Sequence, residues 1–90
     1  IISSRQLYKG EIHDSLCVSL SDLFSRLTEK QIKAFLEAYE SGYYRIPKNT
    51  TAAELARKIH LSRTTFEEHL RKAENKVLSA IVPYLQLYST

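Results

Sequence analysis

The sequence predicts an all-α fold, a bundle of three to four helices, on three observations. Thr28, Thr51 and Ser62 are hydroxyl residues, each placed to cap a helix start. Downstream of each cap, apolar residues recur at three- and four-residue intervals. Only two glycines and two prolines interrupt the 90 residues, so few positions break a helix. This length gives one domain with a modest core and too little chain for a deep substrate cleft. With 43% hydrophobic and 26% charged residues, the composition is that of a folded protein rather than a disordered one.

Residues 1–26 carry two patterns. Leu16, Leu20, Leu23, Phe24 and Leu27 fall at helical spacing, which predicts a helix from about Ser15 or Ser19 to Arg26. Ile12, Asp14, Leu16 and Val18 also alternate as in a strand, with Lys9-Gly10 as a turn, and both readings stand. The segment reads as a linker or N-terminal extension ahead of a domain over 27–90. The opening Ile1-Ile2, without methionine, suggests a piece of a longer protein. The single cysteine, Cys17, has no intrachain disulfide partner, and its apolar neighbours predict a small buried side chain.

The next helix begins after Thr28, where Gln31 completes a capping box and Leu27 can staple onto Ile32. Ile32, Phe35, Leu36 and Tyr39 are its expected buried face. Gly42 stands where a left-handed C-terminal cap is wanted. In the connector from Tyr43 to Thr50, Pro47 forbids helix and biases Ile46 to an extended backbone. The two tyrosines are expected to pack between helices. Thr51 then caps a short helix with Glu54 in the box position, and Leu55, Ala56 and Ile59 form its stripe.

The tripeptide His60-Leu61-Ser62 ends that helix and caps another, with Leu61 placed to staple onto Phe66. So short a turn makes the two helices cross steeply, with Ala56 as the small residue at the crossing. At 3.6 residues per turn, Phe66, Leu70, Ala73 and Val77 share one side with His69 at its margin. The other side shows Thr64, Glu67, Glu68, Arg71, Lys72 and Asn75. The helix should run over about 63–82, where Pro83 kinks or stops it.

A polar helix face behind a tight turn and a bracing helix is the pattern of a helix-turn-helix that reads duplex DNA. Arginine can pair bidentately with guanine, asparagine with adenine, a carboxylate can accept from cytosine N4, and a threonine methyl can touch thymine. Thr64, Glu67, Glu68, Arg71 and Asn75 are therefore the candidates for base edges, and Lys48, Thr51, Lys58, Arg63 and Lys72 for phosphates. The bland alternative for each is a solvated surface position. The net charge is +3, yet residues 1–27 balance at three basic and three acidic side chains. From Arg45 to Arg63 five cations stand against Glu54 alone, an excess near helix N-termini that suits phosphate.

Other classes find little support. His13, His60 and His69 have no ligand-spaced cysteine or carboxylate cluster, and no glycine-rich phosphate loop is present. Neither enzyme activity, cofactor nor metal is expected. No apolar run reaches the length of a membrane span and the first residues show no basic region followed by an unbroken apolar run, so a cytoplasmic, nucleoid-associated protein is expected. Leu78, Ile81, Val82, Leu85, Leu87 and Tyr88 exceed what a small core needs, which suggests a homodimer contact or packing against residues 1–26. A protein-interaction module docking onto polymerase or a partner regulator is the competing reading of the same scaffold.

Leu27-Thr28-Glu29-Lys30-Gln31, then Ala38-Tyr39-Glu40-Ser41-Gly42-Tyr43-Tyr44 with Pro47-Lys48, then Leu55-Ala56, Ser62-Arg63-Thr64-Thr65 and His69-Leu70-Arg71-Lys72-Ala73-Glu74 together resemble the bacterioopsin-activator type of archaeal helix-turn-helix domain. The likeness covers about residues 27–80, and the Ala-Tyr-Glu-Ser-Gly-Tyr-Tyr element is its most specific part. It implies a C-terminal DNA-binding domain of an archaeal transcriptional regulator. The later half is also similar to response-regulator output domains and to region 4 of sigma factors, which places the fold near the winged-helix group without an assignable wing. His60 stands where the family turn commonly has glycine. Glu67 and Glu68 stand where related domains often carry basic or neutral residues.

Overall fold

The structure, a computed structural model, describes the backbone of residues 9–89 and the side chains of 14–89. Among the described residues there are four helices and no strand: α1 (Lys9–Arg26), α2 (Glu29–Glu40), α3 (Ala52–Lys58) and α4 (Arg63–Ser89). The all-α expectation holds. Two compact units divide the chain, one spanning Leu27–Asn75 and the other formed by the N-terminal residues to Arg26 with those from Lys76 onward.

The Leu27–Asn75 unit packs Ala34, Ala38, Ala52, Leu55, Ala56, Phe66 and Leu70 into one core, with Phe35, Tyr43, Ile59 and Leu61 against it. Phe66 and Leu55 are its largest fully buried side chains. Four of those seven core residues are alanines, which let helix backbones approach closely. This corrects the expected face of α2. Its buried residues are Gln31, Ala34 and Ala38, whereas Ile32, Leu36 and Tyr39 are exposed and Phe35 alone of the expected four turns partly inward. The close crossing selects the stripe of small residues, and a reading weighted by side-chain size chose the adjacent stripe instead. Gln31 is buried because its Oε1 accepts the Thr28 N–H at 3.2 Å while its own N–H donates to Thr28 Oγ1 at 3.1 Å, completing the capping box.

Both short helices end in the same way. At α2, Tyr43 N–H donates to the Ala38 carbonyl and Gly42 N–H to that of Tyr39, with Gly42 at φ 85°. At α3, Leu61 N–H donates to Ala56 and His60 N–H to Arg57, with His60 at φ 60°. Each is a paired cap that satisfies orphan carbonyls through a left-handed residue. His60 thus adopts the conformation that glycine would take at this turn.

In the other unit α1 begins at Lys9, ahead of the expected Ser15 or Ser19, so the alternating pattern of residues 12–18 does not mark a strand. Lys9-Gly10 is helical, not a turn. Leu23, 6% exposed, is the one buried apolar side chain among the described residues of this unit. Cys17 is exposed rather than buried, because it lies about 100° around the helix from Leu16. Helix α4 passes through Pro83 and ends at Ser89, beyond the expected Val82. A proline inside a helix costs about 3 kcal/mol, and the neighbouring Tyr84 offsets part of it. Its hydroxyl donates to the Ser15 carbonyl at 2.8 Å and lies 2.6 Å from Ser19 Oγ. Near the other end of this unit, Lys76 Nζ donates to the Arg26 carbonyl at 2.7 Å. Within the described residues no helix is long and apolar enough to cross a membrane.

Candidate nucleic-acid interface

Helix α3 starts where Thr51 Oγ1 accepts the Glu54 N–H at 3.2 Å. The Glu54 carboxylate accepts from the Thr50 hydroxyl at 3.3 Å. At the start of α4, Ser62 Oγ accepts the Thr65 N–H at 3.1 Å, while Leu61 packs on the core beside Phe66. With α3 ending at Lys58 and α4 starting at Arg63, the turn is closed by backbone hydrogen bonds on one side and a side-chain cap on the other. Phe66, Leu70 and Ala73 hold the inner face of α4 in the core. That leaves Thr64, Glu68, Arg71, Lys72 and Asn75 exposed and Glu67 half-buried. The polar flank of α4 is therefore open to solvent.

Its charges are organised. Arg63 Nε lies 2.9 Å from Glu67 Oε1 and Lys72 Nζ 3.1 Å from Glu68 Oε1, both pairs spanning one helical turn. Lys58 Nζ reaches Glu37 Oε1 of α2 at 2.8 Å. Lys48, in the connector, sits with its Nζ 4.3 Å above the centre of the Tyr43 ring. Each lysine or arginine expected at a phosphate thus has a partner within the domain, and the fifth such residue, Thr51, has its hydroxyl committed to the α3 cap. Exposed ion pairs contribute at most about 1 kcal/mol, so a phosphate can displace the carboxylates. Among the described residues Arg71 makes no ion pair, and its guanidinium fork stands exposed between Glu67 and Asn75 along the helix.

The connector contributes a feature that sequence patterns did not signal. Tyr44 donates its hydroxyl hydrogen bond to the Glu74 carboxylate of α4, and its ring meets Tyr43 edge-on at 5.2 Å and Phe35 at 6.0 Å between centroids. Burial, then the hydrogen bond and the negative charge of Glu74, raise the Tyr44 phenol above the ordinary tyrosine range. The aromatic cluster thereby ties the connector to α4 on the third turn after its cap. Nothing in the spacing of Tyr44 and Glu74, thirty residues apart, marks them as partners.

The HTH DNA binding domain family matches residues 27–79. The chain belongs to that family. The transcriptional regulator NarO of Haloferax volcanii is 38% identical over 56 residues, which is 62% of this chain and 26% of NarO. The dimethyl sulfoxide reductase transcriptional activator of the same organism is 37% identical over 57 residues, 63% of this chain and 27% of that protein. The bacterioopsin transcriptional activator of Halobacterium salinarum is 32% identical over 59 residues, 66% of this chain and 9% of the activator. The aligned region is thus between 9% and 27% of the length of these relatives, and the resemblance to the bacterioopsin-activator type holds. No solved structure matches the chain at a significant level.

Proposed function

We propose that this helix-turn-helix domain binds duplex DNA sequence-specifically within an archaeal transcriptional regulator, with α4 from Arg63 lying in the major groove. Residues 27–90 make up the DNA-binding part and residues 1–26 an N-terminal extension, and the protein works in the cytoplasm at the nucleoid. The observation that carries the reading is the uncovered polar flank of α4, held out by a capped turn and a core of alanines. Arg71 reads a guanine and Thr64, Glu67, Glu68 and Asn75 contact neighbouring base edges, while Lys48, Thr51, Lys58, Arg63 and Lys72 hold phosphates. Arg71→Ala is expected to weaken binding by about 1–3 kcal/mol and relax preference at one base pair, whereas Lys58→Ala weakens all sequences alike. Equal losses on selected and random DNA for Arg71→Ala would remove its assigned role. A salt titration tests the whole reading: log affinity should fall against log salt by about 0.9 per neutralised phosphate. Weak binding that ignores salt would favour a protein-docking module.

A second element of the proposal is a homodimer formed through α1 and the end of α4. Among the described residues Leu23 is the one buried apolar side chain there, while Val18, Phe24, Leu78, Val82, Leu85 and Tyr88 are exposed. Leu78, Val82 and Leu85 lie at helical spacing on one stripe. Ile81 and Leu87, also expected at this contact, are half-buried within the single chain and serve it less. Among the described residues these helices leave most of their apolar side chains exposed, and a second copy would cover that stripe.

A further inference from the structure

Arg71 stands among three carboxylates of its own helix. Glu67 lies four residues before it, Glu68 three before and Glu74 three after. Residues at these intervals are side-chain neighbours on a helix, about 5–6 Å apart at Cβ, so each acid is within reach of the guanidinium. Among the described residues none of them holds it, because each is held elsewhere: Glu67 by Arg63, Glu68 by Lys72 and Glu74 by the Tyr44 hydroxyl.

The three restraints respond differently to DNA. Arg63 and Lys72 go to phosphates in the proposed complex, which releases Glu67 and Glu68 to base edges. Glu74 has no base to meet, and its partner is a neutral phenol that phosphate does not attract. That phenol is fixed from outside the motif. Its ring packs against Tyr43 at 5.2 Å and Phe35 at 6.0 Å between centroids. The connector that carries it is held shut at its base, where the Gly42 carbonyl accepts two hydrogen bonds, from Arg45 N–H at 3.2 Å and Asn49 N–H at 3.1 Å. A Cβ at Gly42 would lie 2.9 Å from Asn49 Cβ, so the two ends of the loop meet closely.

We propose that Tyr44 is a positioning residue for sequence recognition: by holding the Glu74 carboxylate it leaves the Arg71 guanidinium free to pair with a base in the major groove. This rests on the DNA-binding reading and extends the determinants of specificity to the connector. Once released, Glu74 would compete with the base for Arg71. An exposed ion pair on a helix is weak, so the competition changes recognition about two- to threefold and does not abolish it. Its effect falls on one base pair, because contacts to phosphate carry no sequence information.

The test uses the 90-residue chain, a duplex that it selects from a random-sequence pool, and the base pair at which Arg71→Ala relaxes preference. Preference there is the ratio of affinities for the selected duplex and for one with that pair replaced. Tyr44→Phe, which keeps the ring and removes the hydroxyl, should lower the ratio about two- to threefold. Adding Glu74→Gln should restore it, since an amide has no charge with which to hold Arg71, whereas a merely structural loss of the Tyr44 hydrogen bond would persist in the double variant. In an Arg71→Ala background, Tyr44→Phe should leave the ratio unchanged. A Tyr44→Phe ratio equal to that of wild type, even with both duplexes bound more weakly, overturns the inference, and so does a loss that Glu74→Gln fails to repair. Arg71→Ala relaxing preference at no base pair would instead overturn the role given to Arg71, and the inference with it.

Discussion

His60 shows how much one backbone angle can ask of a residue. At φ 60° with an exposed side chain, it bears a left-handed conformation that costs an L-residue roughly 1–2 kcal/mol. His60→Gly should therefore stabilise the fold by about 1 kcal/mol and raise the thermal midpoint by about 4–8 °C. A lower midpoint in a melting experiment would mean that the imidazole makes a contact worth more than the relieved backbone. Gly42 is the converse case, since its φ of 85° and the closeness of Asn49 leave no room for a side chain. Gly42 was legible in the sequence as a helix stop, whereas at His60 the family likeness only marked a position usually held by glycine and left a left-handed residue or a slightly different turn open. Cys17 was misjudged for a reason equally local. Apolar neighbours in sequence say little about burial when each residue turns the helix by about 100°.

At the scale of elements, the carboxylates of α4 act as intramolecular stand-ins for phosphate. Glu67 and Glu68 hold Arg63 and Lys72 in ion pairs, so binding to any DNA must exchange those partners. Replacing both acids by glutamine should raise affinity for random-sequence duplex and narrow the gap between selected and random sites, measured by fluorescence anisotropy. A double variant that binds random DNA no better than wild type would show that the acids do not restrain nonspecific binding. The link between connector and α4 makes a different forecast. Tyr44 has a raised proton affinity in the folded protein, from burial first and then from Glu74, whereas an unfolded tyrosine titrates near about 10. The stabilisation is complete below about pH 10 and is lost as pH rises above it, because the unfolded chain then gives up a proton that the folded one keeps. Denaturant unfolding of Tyr44→Phe across this alkaline range should show a shallower decline than wild type. The start of α2 was legible from its capping box, but not which face it buries: alanines carry too weak a hydrophobic signal to outvote Ile32, Leu36 and Tyr39, although their smallness decided the packing.

Across the molecule as a whole, the motif was easier to read than its surroundings. Residues 51–75 carry caps, staples and a tight turn in one short stretch, so local rules fixed their arrangement. Pairings such as Ser15 and Ser19 with Tyr84 join distant segments through hydroxyl groups that no periodicity reveals. The proposed self-association belongs to this scale. Leu78→Asp with Leu85→Asp should convert a dimer in sedimentation equilibrium to a monomer and weaken binding to paired half-sites more than to a single one. An unaltered mass for the variant, or a monomeric wild type at high concentration, would dismiss it. The doubly bonded carbonyl of Gly42 also governs how the chain meets a protease. Trypsin needs an extended stretch of backbone to cut after Arg45 or Lys48, and both bonds must open before this loop can straighten. The connector, despite its exposed basic residues, should therefore outlast more loosely held basic sites during limited digestion. Gly42→Ala should make it an early point of cleavage.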